Sequence, residues 1–197
     1  MNQEYKNIIA IDPGSHGGVF TYQNDKYNAA AMDMNNYQTV RNHLKHLKTQ
    51  ASNWIAFVET INLHVGKENI EGWPKAKITQ YINETIGKIQ RIQKLVRGHT
   101  GIINALIESE IDYVEVYPIT WQSRMYLINR RKKETPTEKK NRHKKVATDI
   151  YKVFNISLTH DTADAGLILA FAQTILSTND PWLNGRVKRV ETNLFSQ

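Results

Sequence analysis

Twice in the first half of the chain an almost unbroken apolar run stops on a carboxylate. The first is Asn7-Ile8-Ile9-Ala10-Ile11-Asp12, closed by Pro13-Gly14, and the second is Trp54-Ile55-Ala56-Phe57-Val58-Glu59. A short run that is apolar at successive rather than alternate positions has no face to offer water, so each predicts a buried central strand. The residue ending such a strand projects at the edge of the sheet, where open α/β folds bind their ligands. Asp12 and Glu59 are therefore placed for chemistry rather than for solubility.

The elements around these runs follow from local pattern. Gly17 to Tyr22 and Tyr27 to Met32 read as two more strands joined by the turn-forming Asn24-Asp25, so the chain opens as an antiparallel meander. Val40, Leu44 and Leu47 recur at helical spacing. After a polar connection from Asn62 to Pro74, Ile78, Ile82, Ile89 and Val96 mark a long helix, which Gly98 to Gly101 is expected to kink or break. Asp112 to Tyr117 is a strand stopped by Pro118, and Thr120 to Leu127 a short helix. Lys144 to Phe154 and the strongly apolar Asp161 to Leu176 are the last two helices. Strands first, then strands alternating with helices, predict an α/β fold with a mixed sheet and helices on both faces. We expect one domain over 1–178, followed by a tail over 179–197 that has no clear period, and there is no internal repeat.

Composition narrows the chemistry. The 197 residues include no cysteine, which excludes disulfides, zinc ribbons and thiol nucleophiles and leaves any metal to oxygen and imidazole donors. A hard ion such as magnesium is favoured. No run of about 18 apolar residues and no basic-then-apolar leader is present, so a cytoplasmic protein without membrane contact is expected. The formal net charge of +7 is concentrated. Between Arg130 and Lys145 nine Lys and Arg residues face only Glu134 and Glu138, so this stretch alone accounts for the excess. Such a segment on a balanced body is the footprint of a polyanion binder, although a solvated charged loop has the same composition.

Two further acids, Asp161 and Asp164, open the last helix three residues apart, a spacing that puts both on one face. Singly, each acid has a plain reading: Asp12 before Pro13-Gly14 is turn chemistry, and Asp161 is a helix cap. Jointly, four carboxylates at ordered positions are better explained by a site. Clustered like charges destabilise one another, and a divalent cation resolves that conflict. Two magnesium ions, with manganese as the alternative, would fit and would serve phosphodiester hydrolysis.

The motifs then become specific. Ile9-Ala10-Ile11-Asp12-Pro13-Gly14-Ser15 resembles the first motif of the RuvC-type Holliday-junction resolvases, Val58-Glu59 the second, and Asp161-Thr162-Ala163-Asp164-Ala165 the C-terminal one. Between them, Val116-Tyr117-Pro118-Ile119-Thr120-Trp121 looks like that family's strand and proline-aromatic turn. The lysine-rich helix start near Lys144 looks like its basic approach to the last motif. Similarity runs over roughly Asn7 to Thr174. The resemblance implies an RNase H-like fold and a homodimer that nicks branched DNA, a four-way junction, symmetrically. Asp12, Glu59, Asp161 and Asp164 would be both catalytic residues and metal ligands, with two ions at each site. Some family members carry histidine at the first C-terminal ligand position. Here His160 stands beside Asp161, so the ligand is assigned to Asp161 by its spacing to Asp164, and His160 is a neighbour for handling protons or simply an exposed histidine. The connection after Glu59, where the family touches the branch point, holds His64, Lys67, Trp73 and Lys75. Trp73 is the candidate wedge that stacks on a base, unless it is packed into the core, and Lys75 a phosphate contact. Lys132, Lys133, Lys139, Lys140, Lys144 and Lys145 are the further candidates for binding nucleic acid.

Three other readings compete. An RNase H-like nuclease acting on flaps or RNA/DNA hybrid would use the same metal site, because the surface rather than the site sets the substrate. A non-catalytic nucleic-acid-binding module would keep the fold, though all four acids are present. An actin-like kinase would explain Asp12-Pro13-Gly14-Ser15 with Gly17-Gly18 as a phosphate cradle, but needs two lobes where this length supplies one.

Overall fold

The computed structural model describes residues 5–14, 17–61, 68, 70–128 and 134–190. Ser15, His64, Lys67, Lys132 and Lys133 lie outside the described residues. Both acid-terminated runs are strands at the middle of a five-stranded sheet. β1 (Asn7–Asp12) is flanked by β2 (Gly18–Gln23) and β4 (Trp54–Glu59), and the order across the sheet is β3-β2-β1-β4-β5, with β3 at Lys26–Ala31 and β5 at Asp112–Val116. β1 to β3 form the expected antiparallel meander, while β4 and β5 run parallel to β1. Gln23 pairs with Lys26, so Asn24-Asp25 is a two-residue hairpin turn with positive φ at both positions, a conformation Asn and Asp tolerate.

Alternate residues of the central strands enter two separate cores. Ile9, Ile11, Ala56 and Val58 pack under α1 (Tyr37–Gln50) and the C-terminal part of α2 (Lys75–Glu108), with Val40, Leu44, Ile102 and Leu106. Ala10, Phe20, Ile55 and Phe57 pack on the opposite face under α4 (Pro136–Tyr151) and α5 (His160–Ser177). Burying each large side chain of this kind contributes about 1.5–3 kcal/mol. This two-sided burial is why the strands have no polar alternation.

Three boundaries differ from the sequence expectation. α2 passes through Gly98 and Gly101 without a break. Gly98 is needed for contact: a Cβ there would stand 3.3 Å from the Met34 carbonyl oxygen, so the glycine lets the helix lie against the chain before α1. The short helix α3 spans Pro118–Arg124 rather than 120–127, because proline is well suited to the first helical turn. α4 starts at Pro136, eight residues before the expected Lys144, through a capping box in which Thr135 and Glu138 satisfy each other's backbone N–H groups. Residues 136–145 of the basic segment are thus helix. Residues 181–183 form a single 3-10 turn whose Trp182 packs edge-on against Phe171 of α5, and Lys188 bridges to Tyr113 on the outer strand. No described helix is long and apolar enough to cross a membrane.

Candidate functional site

The parallel pairing of β1 with β4 sets Val58 opposite Ile11, so Asp12 and Glu59 leave the sheet at the same edge on adjacent strands. α5 brings its N-terminus to this edge. Gly18, at the start of β2, makes the approach possible, since a Cβ at that position would lie 2.7 Å from the backbone oxygen of Asp161. Thr159 caps α5 through the Thr162 N–H, so Asp161 and Asp164 are free of capping duty.

The carboxylates sense one another. Asp12 is pushed up to about 6, first by burial and then by the charge of Asp164 and, more weakly, Asp161, while the Gly14 N–H and Lys140 pull it down. Glu59 is pushed up to about 8 by burial, then by Asp12 and by Asp164, against the Trp121 N–H and Lys139. Three acids from β1, β4 and α5 therefore form one cluster, with Asp161 at its margin. Each of the three has one oxygen engaged. Gly14 N–H donates to Asp12 Oδ1 at 2.9 Å, Trp121 Nε1–H to Glu59 Oε1 at 2.9 Å, and His143 Nδ1 lies 2.7 Å from Asp164 Oδ1. The turn chemistry at Asp12 is real and coexists with the cluster.

Hard oxygen donors on mutually repelling, partly desolvated acids are the donor set that magnesium or manganese prefers. Among the described residues no three His, Asp or Glu groups lie close enough, as placed, to enclose an ion. Asp12, Glu59 and Asp164, with Asp161 at the margin, would have to draw closer to hold one.

The remaining sequence candidates fall into two groups. Lys139 and Lys140, exposed in the first turns of α4, act on Glu59 and Asp12 respectively. Lys144 is half-buried on the same helix, and Lys145 pairs with Asp149 one turn on, at 3.4 Å. His160 is exposed, and its Nε2 meets Asn141 Oδ1 at 3.0 Å rather than a carboxylate. Trp73 precedes α2; it lies edge-on to Tyr81, with Lys77 Nζ 3.8 Å from its ring centre, and Lys75 is exposed at the first helical position. Trp121 and His143, both in contact with the acids, were not among the candidates. Trp121 lies in the proline-aromatic segment noted above, which offered a signal; His143, amid Arg142, Lys144 and Lys145, offered none.

No protein-family model matches this chain, and no curated protein matches it in sequence. Among solved structures it is similar to Thermus thermophilus RuvC in complex with Holliday junction substrate, with a TM-score of 0.55 and 11% identity over 93% of this chain and 98% of that one. It is also similar to a second Thermus thermophilus RuvC structure, with a TM-score of 0.53 and 11% identity over 93% and 99%. The chain therefore has the RuvC-like, RNase H-like α/β fold.

Proposed function

We propose that this chain is a divalent-cation-dependent endonuclease that hydrolyses phosphodiester bonds in branched DNA and resolves four-way junctions by paired nicks. The observation that carries the reading is the convergence of Asp12 and Glu59, ending the adjacent parallel strands β1 and β4, with the N-terminal part of α5 that bears Asp164, at one sheet edge. The fold shared with a RuvC solved on Holliday junction substrate supports branched DNA as the substrate class.

Asp12, Glu59, Asp161 and Asp164 would hold one or two magnesium or manganese ions. When bound, the metal supplies a Lewis acid for the scissile phosphate and an acidified water for attack. Lys139 and Lys140 draw the phosphodiester toward an edge that would otherwise repel it. His160 serves proton handling only from the rim, since Asn141 engages its ring.

We also read the chain as a homodimer. Ile82, Ile86, Ile89 and Val96 on α2 remain 49%, 48%, 42% and 39% exposed. Ile78, Ile82, Thr85, Ile89, Ile92 and Val96 follow alternating spacings of four and three, the seam of a coiled coil. A second copy of the same helix would cover it.

The deciding experiment is cleavage of a labelled four-way junction beside linear duplex, flap and RNA/DNA hybrid, with magnesium and then with chelator. Paired symmetric nicks in the junction alone are expected. Cutting of flap or hybrid instead would reassign the substrate, and metal-independent binding with no cutting of any DNA would leave a binding module.

A further inference from the structure

We infer that Trp121 and His143 are positioning residues forming one clamp, which fixes one oxygen of Glu59 and one of Asp164 and leaves the second oxygen of each for a cation. The inference rests on the metal-site reading given above, and it assigns a role to two buried residues.

The clamp is continuous. Trp121 is 0% exposed and is the only buried residue of α3. An indole N–H can only donate, so when buried it must find an acceptor. Its acceptor is Glu59 Oε1 at 2.9 Å. The same indole meets the His143 ring edge to face, with centroids 5.6 Å apart and planes at 67°. His143, 2% exposed on α4, reaches Asp164 Oδ1 at 2.7 Å. An ionised carboxylate only accepts, so the proton belongs on Nδ1. Among the described residues, His143 Nε2 is buried without a partner. Among these residues the polar engagement of the imidazole is with Asp164.

Four elements meet in this chain of contacts: β4 through Glu59, α3 through Trp121, α4 through His143 and α5 through Asp164. The residues engaged are two of the three clustered acids; the third, Asp12, is held by its own turn at Gly14. Each acid thus has one oxygen fixed by an N–H, and none has a second hydrogen bond among the described residues. That is the arrangement by which outer residues orient the ligands of a metal site. A purely packing role would ask only for shape at positions 121 and 143, and the donors separate the two roles.

The test is Mn²⁺ affinity of the full chain by calorimetry for wild type, Trp121→Phe, His143→Phe and His143→Asn, each screened by thermal melting. Both Phe variants should bind Mn²⁺ about 10–100-fold more weakly, while His143→Asn, whose amide nitrogen can take the place of Nδ1, should stay within about threefold of wild type. Their junction cleavage should recover as Mg²⁺ is raised, a metal-dependent defect that loss of packing would not give. Unchanged affinity in the Phe variants overturns the clamp, as does an equal loss in His143→Asn and His143→Phe. If His143→Phe does not fold, Trp121→Phe against wild type decides by the same criterion. Wild-type protein that binds Mn²⁺ but cuts no DNA would sink the nuclease reading and leave the clamp standing; wild type without Mn²⁺ affinity would sink both.

Discussion

Asp12 and Glu59 sit where a sheet ends, and their burial together with the charge of Asp164 makes ionisation costly. Asp12→Asn keeps the acceptor for the Gly14 N–H but removes a charged ligand. Cleavage of a junction should fall on the order of 10³-fold or more, and so should that of Glu59→Gln, while binding measured by gel shift is retained or strengthened. Retained cleavage in either purified variant would contradict the roles given to these acids. Stability should report the same charges. Both groups have folded values above the unfolded ones of about 3.9 and 4.3, so the folded chain holds extra protons between them. Their stabilisation is complete below about pH 4 and is lost as pH rises through about 6 for Asp12 and about 8 for Glu59. Metal-free protein should therefore melt higher at pH 5 than at pH 8.5, and Asp12→Asn should flatten that slope; a melting profile in chelator that rises with pH would refute it. The acids themselves were legible because an apolar run that ends in a charge is a strong signal. Trp121 and His143 were not singled out, since a contact between positions 22 apart on two helices has no local signature.

At the scale of the element, α4 links sequence to site most directly, because it carries His143, Lys139 and Lys140. Its start lay hidden in a basic run that reads as loop by composition. Thr135 and Glu138 supply the stop and start signal that charge obscures, and Pro136 at the first helical position completes it. Thr135→Ala should cost about 1 kcal/mol, which for a chain of this size lowers the melting temperature by roughly 2–4 °C. An unchanged melt would mean the cap contributes nothing. The long α2 was legible as a helix but not as unbroken, because glycine in sequence signals a breaker and only the neighbour at Met34 reveals that this one permits contact. The central strands and α5 were read nearly to their ends, each being uniformly apolar in a way its packing requires, while α1 was legible through the stripe Val40, Leu44 and Leu47 but not in its bounds.

For the whole molecule, the two-sided sheet accounts for the burial of both acid-bearing strands, and the fold matches RuvC despite 11% identity because layer order depends on pattern more than on residue identity. Among the described residues, the apolar seam of α2 is a surface this architecture leaves uncovered within one chain. Replacing Ile82 and Ile89 together by Glu should give a monomer by sedimentation with an unchanged circular dichroism spectrum, whereas a wild-type chain that already sediments as a monomer would remove the dimer. The topology also carries a temporal consequence. Asp12 and Glu59 belong to strands made early, but Asp164 rides on the last long helix, which must dock across β1 and β2 before the cluster exists. A ribosome must release α5 before the three acids can meet. Whatever the site does to nucleic acid, a chain whose α5 has not yet docked cannot do it.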